Sequence, residues 1–261
     1  MNMKSLIALT ALTAAGAASA EVTSGNTLCR IEVNSGTKST IVAVPLVKIG
    51  DTPANIPVTE LVLTDNLAED DTILHWNGTS WDAWEIAVEE GTGAKSWEPT
   101  KISEGLKNCS ASAPAENTAL ARGDAIWVNR ADTEKPFYVY GQVTTDAATA
   151  TTLVRGTAEQ PVYTMVGNPL TTDKAVSALR FEGSLAVGDS IMWGDSSAIG
   201  GLKELTWNGT QWGYFVATKE TLKNGRTVNK KEWTASTDTI PAGQGFWYVS
   251  RSGEGTLTVA W

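Results

Sequence analysis

Apolar positions along this chain alternate with polar ones in short runs of four to eight residues, punctuated by Gly, Asn, Asp and Pro. The runs 40–47, 73–76, 125–129, 137–143, 163–166, 190–193, 245–250 and 256–261 are rich in Val, Ile, Thr and aromatic residues, which read as strands. No window of a dozen residues after the N-terminal segment carries apolar positions at helical spacing with a cap. Only 101–107 and 177–180 read as single helical turns. The pattern therefore predicts an all-β protein with little helix.

The same pattern repeats. Trp76-Asn77-Gly78-Thr79-Ser80-Trp81 recurs as Trp207-Asn208-Gly209-Thr210-Gln211-Trp212. Asn-Gly between aromatic flanks suits a type I′ hairpin turn, whose two central residues both need positive φ. Around these tips other landmarks recur in the same order. Val44-Pro45-Leu46 answers to Asn168-Pro169-Leu170, and the segment from Leu67 to Ile73 to that from Leu185 to Ile191. Trp97 answers to Trp233, and Arg122-Gly123-Asp124-Ala125-Ile126-Trp127-Val128 to Ala242-Gly243-Gln244-Gly245-Phe246-Trp247-Tyr248. An ordered set of this kind means an internal duplication.

The expectation is two duplicated antiparallel β units, of sandwich or small-barrel type, over 27–146 and 160–261. Trp76 should superpose on Trp207 and Trp127 on Trp247. The Thr/Ala-rich tract 144–152, a linker or a further strand, marks the boundary, and 147–159 is assigned as the linker between the units. On this alignment the second half carries 13 extra residues between Asp189 and Trp207, and the first half 16 extra between Trp97 and Trp127.

Residues 1–20 change the picture of compartment. Lys4, an apolar stretch from Leu6 to Leu12 and the ending Ala18-Ser19-Ala20 form the three-part layout of a secretory signal peptide. The apolar stretch is far shorter than the ~20 residues that span a bilayer, so a mature chain beginning at Glu21 is expected outside the cytoplasm. Without Lys4 it carries 19 basic against 29 acidic residues. That balance, with no basic-aromatic stripe, argues against nucleic acid as a partner. Cys29 and Cys109 are an even pair in an oxidising compartment, read as one disulfide or as two buried thiols. As a disulfide, the 80-residue loop would restrict the unfolded chain by ~4.5 kcal/mol on the loop-entropy account.

Candidate chemistry is sparse. His75 is the lone histidine; its counterpart in the second half is Trp193, and it reads as a structural residue. Asp65, Glu69, Asp70 and Asp71 cluster but lack the ligand ladder of a calcium loop, so they read as a solvated turn. Arg122-Gly123-Asp124 reads as turn chemistry because Gly123 aligns with Gly243. No nucleophile elbow, zinc-binding helix or phosphate loop occurs. No catalytic residue, cofactor or metal ligand is assigned. Trp81 and Trp212, flanking the hairpin tips, are the candidate ligand-facing residues, because an indole face suits the apolar face of a sugar ring and Trp favours half-wet positions. The last strand, with Leu257, Val259 and Trp261 alternating with Thr256, Thr258 and Ala260, also has the layout of a barrel assembly signal.

Val166-Gly167-Asn168-Pro169, Gly188-Asp189-Ser190-Ile191, the Trp-Asn-Gly-x-x-Trp hexapeptide and Pro241-Ala242-Gly243-Gln244-Gly245-Phe246-Trp247 together form a motif. It resembles the repeated β-modules of secreted and cell-surface proteins of Bacteroidetes, Verrucomicrobia and related bacteria. The first half departs from it, with Val-Pro lacking Gly-Asn and Arg-Gly-Asp replacing Gly-Gln-Gly. The resemblance implies an extracellular β-module and no activity. Three functions follow as expectations: an exported, non-catalytic surface or matrix structural module; a carbohydrate-binding module using exposed Trp; and, behind these, an outer-membrane barrel. Cell-surface glycans or other envelope proteins would be the partners. A hydrolase would need paired carboxylates, and no spacing selects a pair.

Overall fold

The computed structural model describes residues 27–33, 39–50, 54–76, 81–100, 114–131, 137–144, 150–195, 202–224 and 226–261. The signal-peptide segment 1–20, the first hexapeptide's tip 77–80, the turn 101–107 and Cys109 lie outside the described residues.

The chain is an all-β protein of antiparallel sheets, with one short α-helix, Val58–Leu61, among the described residues. In the first half, β1 (Thr27–Val33) pairs with β9 (Phe137–Val143), and β3 (Ile56–Pro57) with β7 (Ala119–Leu120). Its main sheet runs β2-β8-β4-β5-β6, formed by Ser39–Ala43, Ala125–Asn129, Thr72–Trp76, Trp81–Val88 and Lys95–Pro99. The second half repeats the plan. β10 (Thr151–Leu153) pairs with β20 (Leu257–Ala260), which β13 (Arg180–Glu182) flanks on its other side, and β12 (Lys174–Ala175) pairs with β18 (Thr239–Ile240). Its main sheet runs β11-β19-β14-β15-β16-β17, formed by Val162–Gly167, Gly245–Ser250, Ser190–Gly194, Leu202–Trp207, Trp212–Thr221 and Thr227–Ala235. Opening strand, closing strand, main sheet and two-residue ladder all recur, so the duplication is architectural.

The register of the ladders revises the sequence alignment of the two halves. Ile73 faces Trp84 and Ile191 faces Leu205, so β5 corresponds to β15. The backbone agrees. Asp70 N donates to Ile86 O and Ile86 N to Asp71 O; Gly188 N donates to Trp207 O and Trp207 N to Asp189 O. Trp207 thus stands where Ile86 stands, and Trp212, opposite Trp207, stands where Trp97 does, opposite Ile86. The expected match of Trp76 with Trp207 does not hold. The first hexapeptide joins β4 to β5, whereas the second joins β15 to β16, at the opposite end of the sheet. The two hexapeptides match in letters but belong to different hairpins, β4–β5 and β15–β16. The 13-residue and 16-residue excesses disappear with that alignment: Asp71 to Trp127 and Asp189 to Trp247 span 56 and 58 residues. β17 has no counterpart among the described residues of the first half.

The second tip also differs in kind from the expected turn. Gly209 has φ +102° while Asn208 does not enter the positive-φ region. Asn208 Oδ1 accepts from Thr210 N and Gln211 N, each at 2.9 Å. Glycine is therefore the first central residue of the turn, and Asn208 caps it as an Asx residue.

Each main sheet buries one face in its own core. Val42, Ile73, Trp84, Ile86, Ile126 and Val128 build the first; Val166, Ile191, Leu205, Trp212, Phe246 and Tyr248 build the second. Leu257 and Val259 are fully buried in the second core, so the apolar side of the last strand serves internal packing. Thr151–Leu153, within the tract read as a linker or a further strand, pairs with the last strand of the second unit.

The two units meet through reciprocal contacts. Ala43 N donates to Gly243 O at 2.9 Å, and Gly167 N to Gly123 O at 3.1 Å. Ala43 opposes Ala125 as Gly167 opposes Gly245, so these two bonds are one contact made twice about a pseudo-two-fold axis, the geometry of an isologous interface. The approach is close: a Cβ on Gly167 would lie 2.1 Å from Asp124 O. The turn carrying Arg122-Gly123-Asp124 is part of this seam, with Arg122 Nε donating to Pro169 O at 2.9 Å.

Candidate functional site

The residues of the resemblance motif hold loops and the seam. Asn168 is buried; its Nδ2 donates to the carbonyls of Thr172, Ile240 and Pro241, and its Oδ1 accepts from Leu170 N. Gln244 Nε2 donates to Gly194 O at 2.7 Å.

Asp71 and Asp189, the aspartates that open β4 and β14, are fully buried and play one role. Asp71 accepts from Ala68 N at 2.9 Å and Ala131 N at 2.6 Å, and Asp189 from Ala186 N at 2.9 Å and Arg251 N at 3.1 Å. A buried carboxylate needs compensation as well as hydrogen bonds. In the first unit Arg130 Nε lies 3.9 Å from Asp71. In the second Arg155, which follows β10, donates to Asp189 Oδ2 and to Tyr248 Oη, each at 3.1 Å, while Tyr248 Oη donates to Asp189 Oδ2 at 2.5 Å. Burial first, and then the hydrogen bond and charge of Asp189, push the Tyr248 hydroxyl far above its ordinary value, which keeps it a donor. The residue before Asp71, Asp70, takes a positive φ of 66° where the second unit has Gly188 at 95°. The four-residue acidic cluster therefore divides into exposed turn residues and one buried structural carboxylate. Among the described residues no three His, Cys, Asp or Glu side chains are grouped to hold a metal.

Most tryptophans serve packing. Trp81, Trp127 and Trp247 form a triangle at the seam, with centroids 5.9 to 6.2 Å apart and all pairs edge-to-face. Trp76 extends it at 5.4 Å from Trp81, and the exposed Tyr163 at 6.2 Å from Trp247. Trp81, proposed from sequence to face a ligand, is half-buried in this triangle. Trp212, the other such candidate, is 5% exposed and lies within the second core; its strand position turns it inward, and Trp207 is the half-buried partner nearer solvent.

Those two residues nevertheless wall a groove. A cavity of about 510 Å³ opens between the hairpin tip and the loop before Asp189, with Phe181, Leu185, Trp207 and Trp212 as apolar walls and Ser184 and Gln211 among its polar groups. None of the described residues that line it is ionisable. Its rim is held by the buried network, since Arg155 Nη2 donates to Ser184 O and Ala186 N donates to Asp189 Oδ2, which fixes the following turn. In the first unit the equivalent hairpin reaches further, with 11 positions from Ile86 to Trp97 against 5 from Trp207 to Trp212, and Lys95 Nζ donates to the carbonyl of Leu67, the equivalent of Leu185, at 2.6 Å. Sequence reasoning missed Phe181, Leu185 and Arg155, because a strand of three residues and a loop arginine carry no periodic signal.

His75 sits on β4 opposite Asp82, Nδ1 to Oδ2 3.7 Å, with both side chains about 15% exposed or less. Burial lowers its pKa, and the charges of Asp124 and Asp82 only partly offset this. A histidine held below its ordinary 6.5 binds its proton more readily in the unfolded chain, so its contribution to stability is complete above pH 6.5 and is lost as the pH falls through the folded value. His75→Gln is therefore expected to flatten the stability profile between pH 6.5 and the carboxylate range. Denaturation midpoints measured along that range test this cleanly, since the chain has no other histidine; an unchanged slope refutes it. Cys29, on β1 opposite Gly141, is half-buried against the first core with its thiol pKa raised by burial.

No protein-family model matches the chain, and no curated protein or solved structure is similar enough to count as a match. No helix among the described residues is long and apolar enough to cross a membrane.

Proposed function

We propose that this is an exported, non-catalytic surface module that holds a neutral glycan in the groove of its second unit. The observation that carries the reading is the groove's lining: aromatic and aliphatic walls, hydroxyl and amide groups, and no ionisable side chain among the described residues. Such a surface matches a pyranose, whose C–H face is apolar and whose edge is hydroxyls, and its volume lies in the range of small-ligand sites. Glycoside hydrolysis needs a carboxylic acid and a carboxylate flanking the bond, and the described lining of this groove supplies neither. Export rests on the layout of residues 1–20, and a Cys29–Cys109 disulfide accords with that compartment.

The test is binding of neutral and uronic-acid oligosaccharides on a glycan array and by titration. Gln211→Ala, at an exposed position, is expected to weaken a neutral glycan about tenfold, ~1.4 kcal/mol, with little change in melting temperature; Trp207→Ala should weaken it more. Release of reducing sugar, or preference for charged glycans, would overturn the reading. A second reading, a purely structural module, is favoured by the use of Trp76, Trp81, Trp127 and Trp247 at the seam. No glycan bound by wild type, with Trp207→Ala lowering the melting temperature, supports that one.

A further inference from the structure

β16 leaves the sheet after Gly213. Its ladder with β15 comprises Thr206↔Gly213 and Trp207↔Trp212, and from Tyr214 to Thr221 it pairs with β17 alone. This is a two-stranded ribbon roughly 26 Å long at ~3.3 Å per residue. It exposes both faces, with Tyr214, Phe215, Val216 and Leu222 in solvent and Phe215 61% exposed. Isolated ribbons are marginal in water, and nothing in the first unit's described residues corresponds to this one.

The ribbon's two faces differ. On one, Lys230 lies between Glu220 and Glu232, at 3.8 and 3.5 Å. On the other, Phe215 stacks edge-to-face on Trp233 with centroids 4.9 Å apart, and Lys231 and Lys219 follow along the same face. No ion pair among the described residues involves Lys219 or Lys231. Residues 214–235 hold five basic and two acidic side chains, whereas the rest of the chain holds 15 basic and 27 acidic.

The far hairpin of the first unit is the reverse. Glu85 and Glu98 face each other across β5 and β6, Glu89 begins their turn, and Glu69 and Asp70 lie beside them because Asp70 N bonds Ile86 O. None of these five carboxylates has an ion-pair partner among the described residues. Among the described residues β6 and β17 are the outer edges of the two main sheets, each at the opposite end of its sheet from the edge strand, β2 or β11, at the seam.

We propose that the Phe215–Trp233–Lys219–Lys231 face of the ribbon docks on the Glu69–Asp70–Glu85–Glu98 surface of a second copy of this chain. The ribbon and its complement are different surfaces, so the contact is heterologous and leaves a free ribbon at one end and a free acidic hairpin at the other. Association then continues head to tail into open chains instead of closing at a dimer. This goes beyond the glycan reading and does not depend on it.

Sedimentation of the mature protein tests the proposal. At about 0.1 M salt the weight-average mass should rise past the dimer with concentration, and at about 1 M salt, where the screening length falls from ~10 to ~3 Å, it should return towards the monomer. Lys219→Glu with Lys231→Glu, and separately Glu85→Lys with Glu98→Lys, should each weaken association about tenfold or more at unchanged melting temperature. Mixed, the two double variants should associate again, because each now complements the other. A wild type that stays monomeric at low salt, a mass that stops at the dimer, or double variants that associate like wild type would each overturn the proposal. So would a monomer whose ribbon binds vesicles of phosphatidylglycerol, which would assign the basic face to an anionic lipid surface.

Discussion

Asp189→Ala is expected to destabilise the protein by about 3–5 kcal/mol, because it strips the buried Arg155 guanidinium of its counter-charge while leaving that cation in place. The carboxylate also accepts from Ala186 N, Arg251 N and Tyr248 Oη, so four donors lose their acceptor together. Tyr248→Phe removes one donor and leaves the charge pair, and should cost only ~1–2 kcal/mol. Replacing both charged partners, as Asp189→Leu with Arg155→Met, should recover much of the loss, since a buried pair exchanged for apolar side chains is often near neutral. Urea denaturation of these variants, with Asp189→Leu and Arg155→Met also made singly, distinguishes this account: additive losses at Asp189 and Arg155 would mean that the two do not act as a pair. The same substitution reaches the groove, since Arg155 also holds Ser184 O at its rim. Any glycan affinity should fall with Asp189→Ala even at temperatures where the fold persists.

The strands that carry cores were readable because their residues leave one face dry. Ala125–Asn129, Phe137–Val143 and Gly245–Ser250 occur where alternation and β-branching put them. β5 was not readable, since Asp82, Ala83 and Glu85 interrupt the apolar pattern and Ala83, though small, is fully buried. β16 and β17 were hidden for the opposite reason: with both faces in solvent, Lys, Thr and Glu occupy every register and no period survives. Asp71 and Asp189 were visible as a repeated letter before an Ile, but their burial depends on Arg130 and Arg155, which come from unrelated chain positions. The hexapeptides were the most conspicuous repeat and the least informative about spatial equivalence. A hairpin turn is decided by two or three residues, whereas register is decided by which faces of neighbouring strands are buried. Trp207 could have been matched to Ile86 only by following Asp189 O and Gly188 N to their partners.

The seam makes the second large prediction. Trp247→Ala should cost about 3 kcal/mol, the lower end for a large aromatic because the residue keeps some exposure. It removes three edge-to-face partners at once, Trp81, Trp127 and Tyr163, and aromatic pairs of this geometry are worth ~0.5–1.5 kcal/mol each beyond their buried area. Trp127→Ala takes away two of the same triangle's edges from the other unit, so the double variant should fall short of the sum by about 0.5–1.5 kcal/mol. The larger consequence concerns cooperativity. Each unit has its own core, and the bonds Ala43 to Gly243 and Gly167 to Gly123 couple them. With the triangle in place the two cores should melt together. Without Trp127 and Trp247 the coupling falls below what a single transition requires, and calorimetry should resolve two transitions. The unit that keeps the buried Asp189–Arg155–Tyr248 network should melt second, because its carboxylate accepts the fuller set of donors. A double variant that still melts in one step at a modestly lower temperature would show that the glycine-mediated backbone contacts, and not the tryptophans, join the halves.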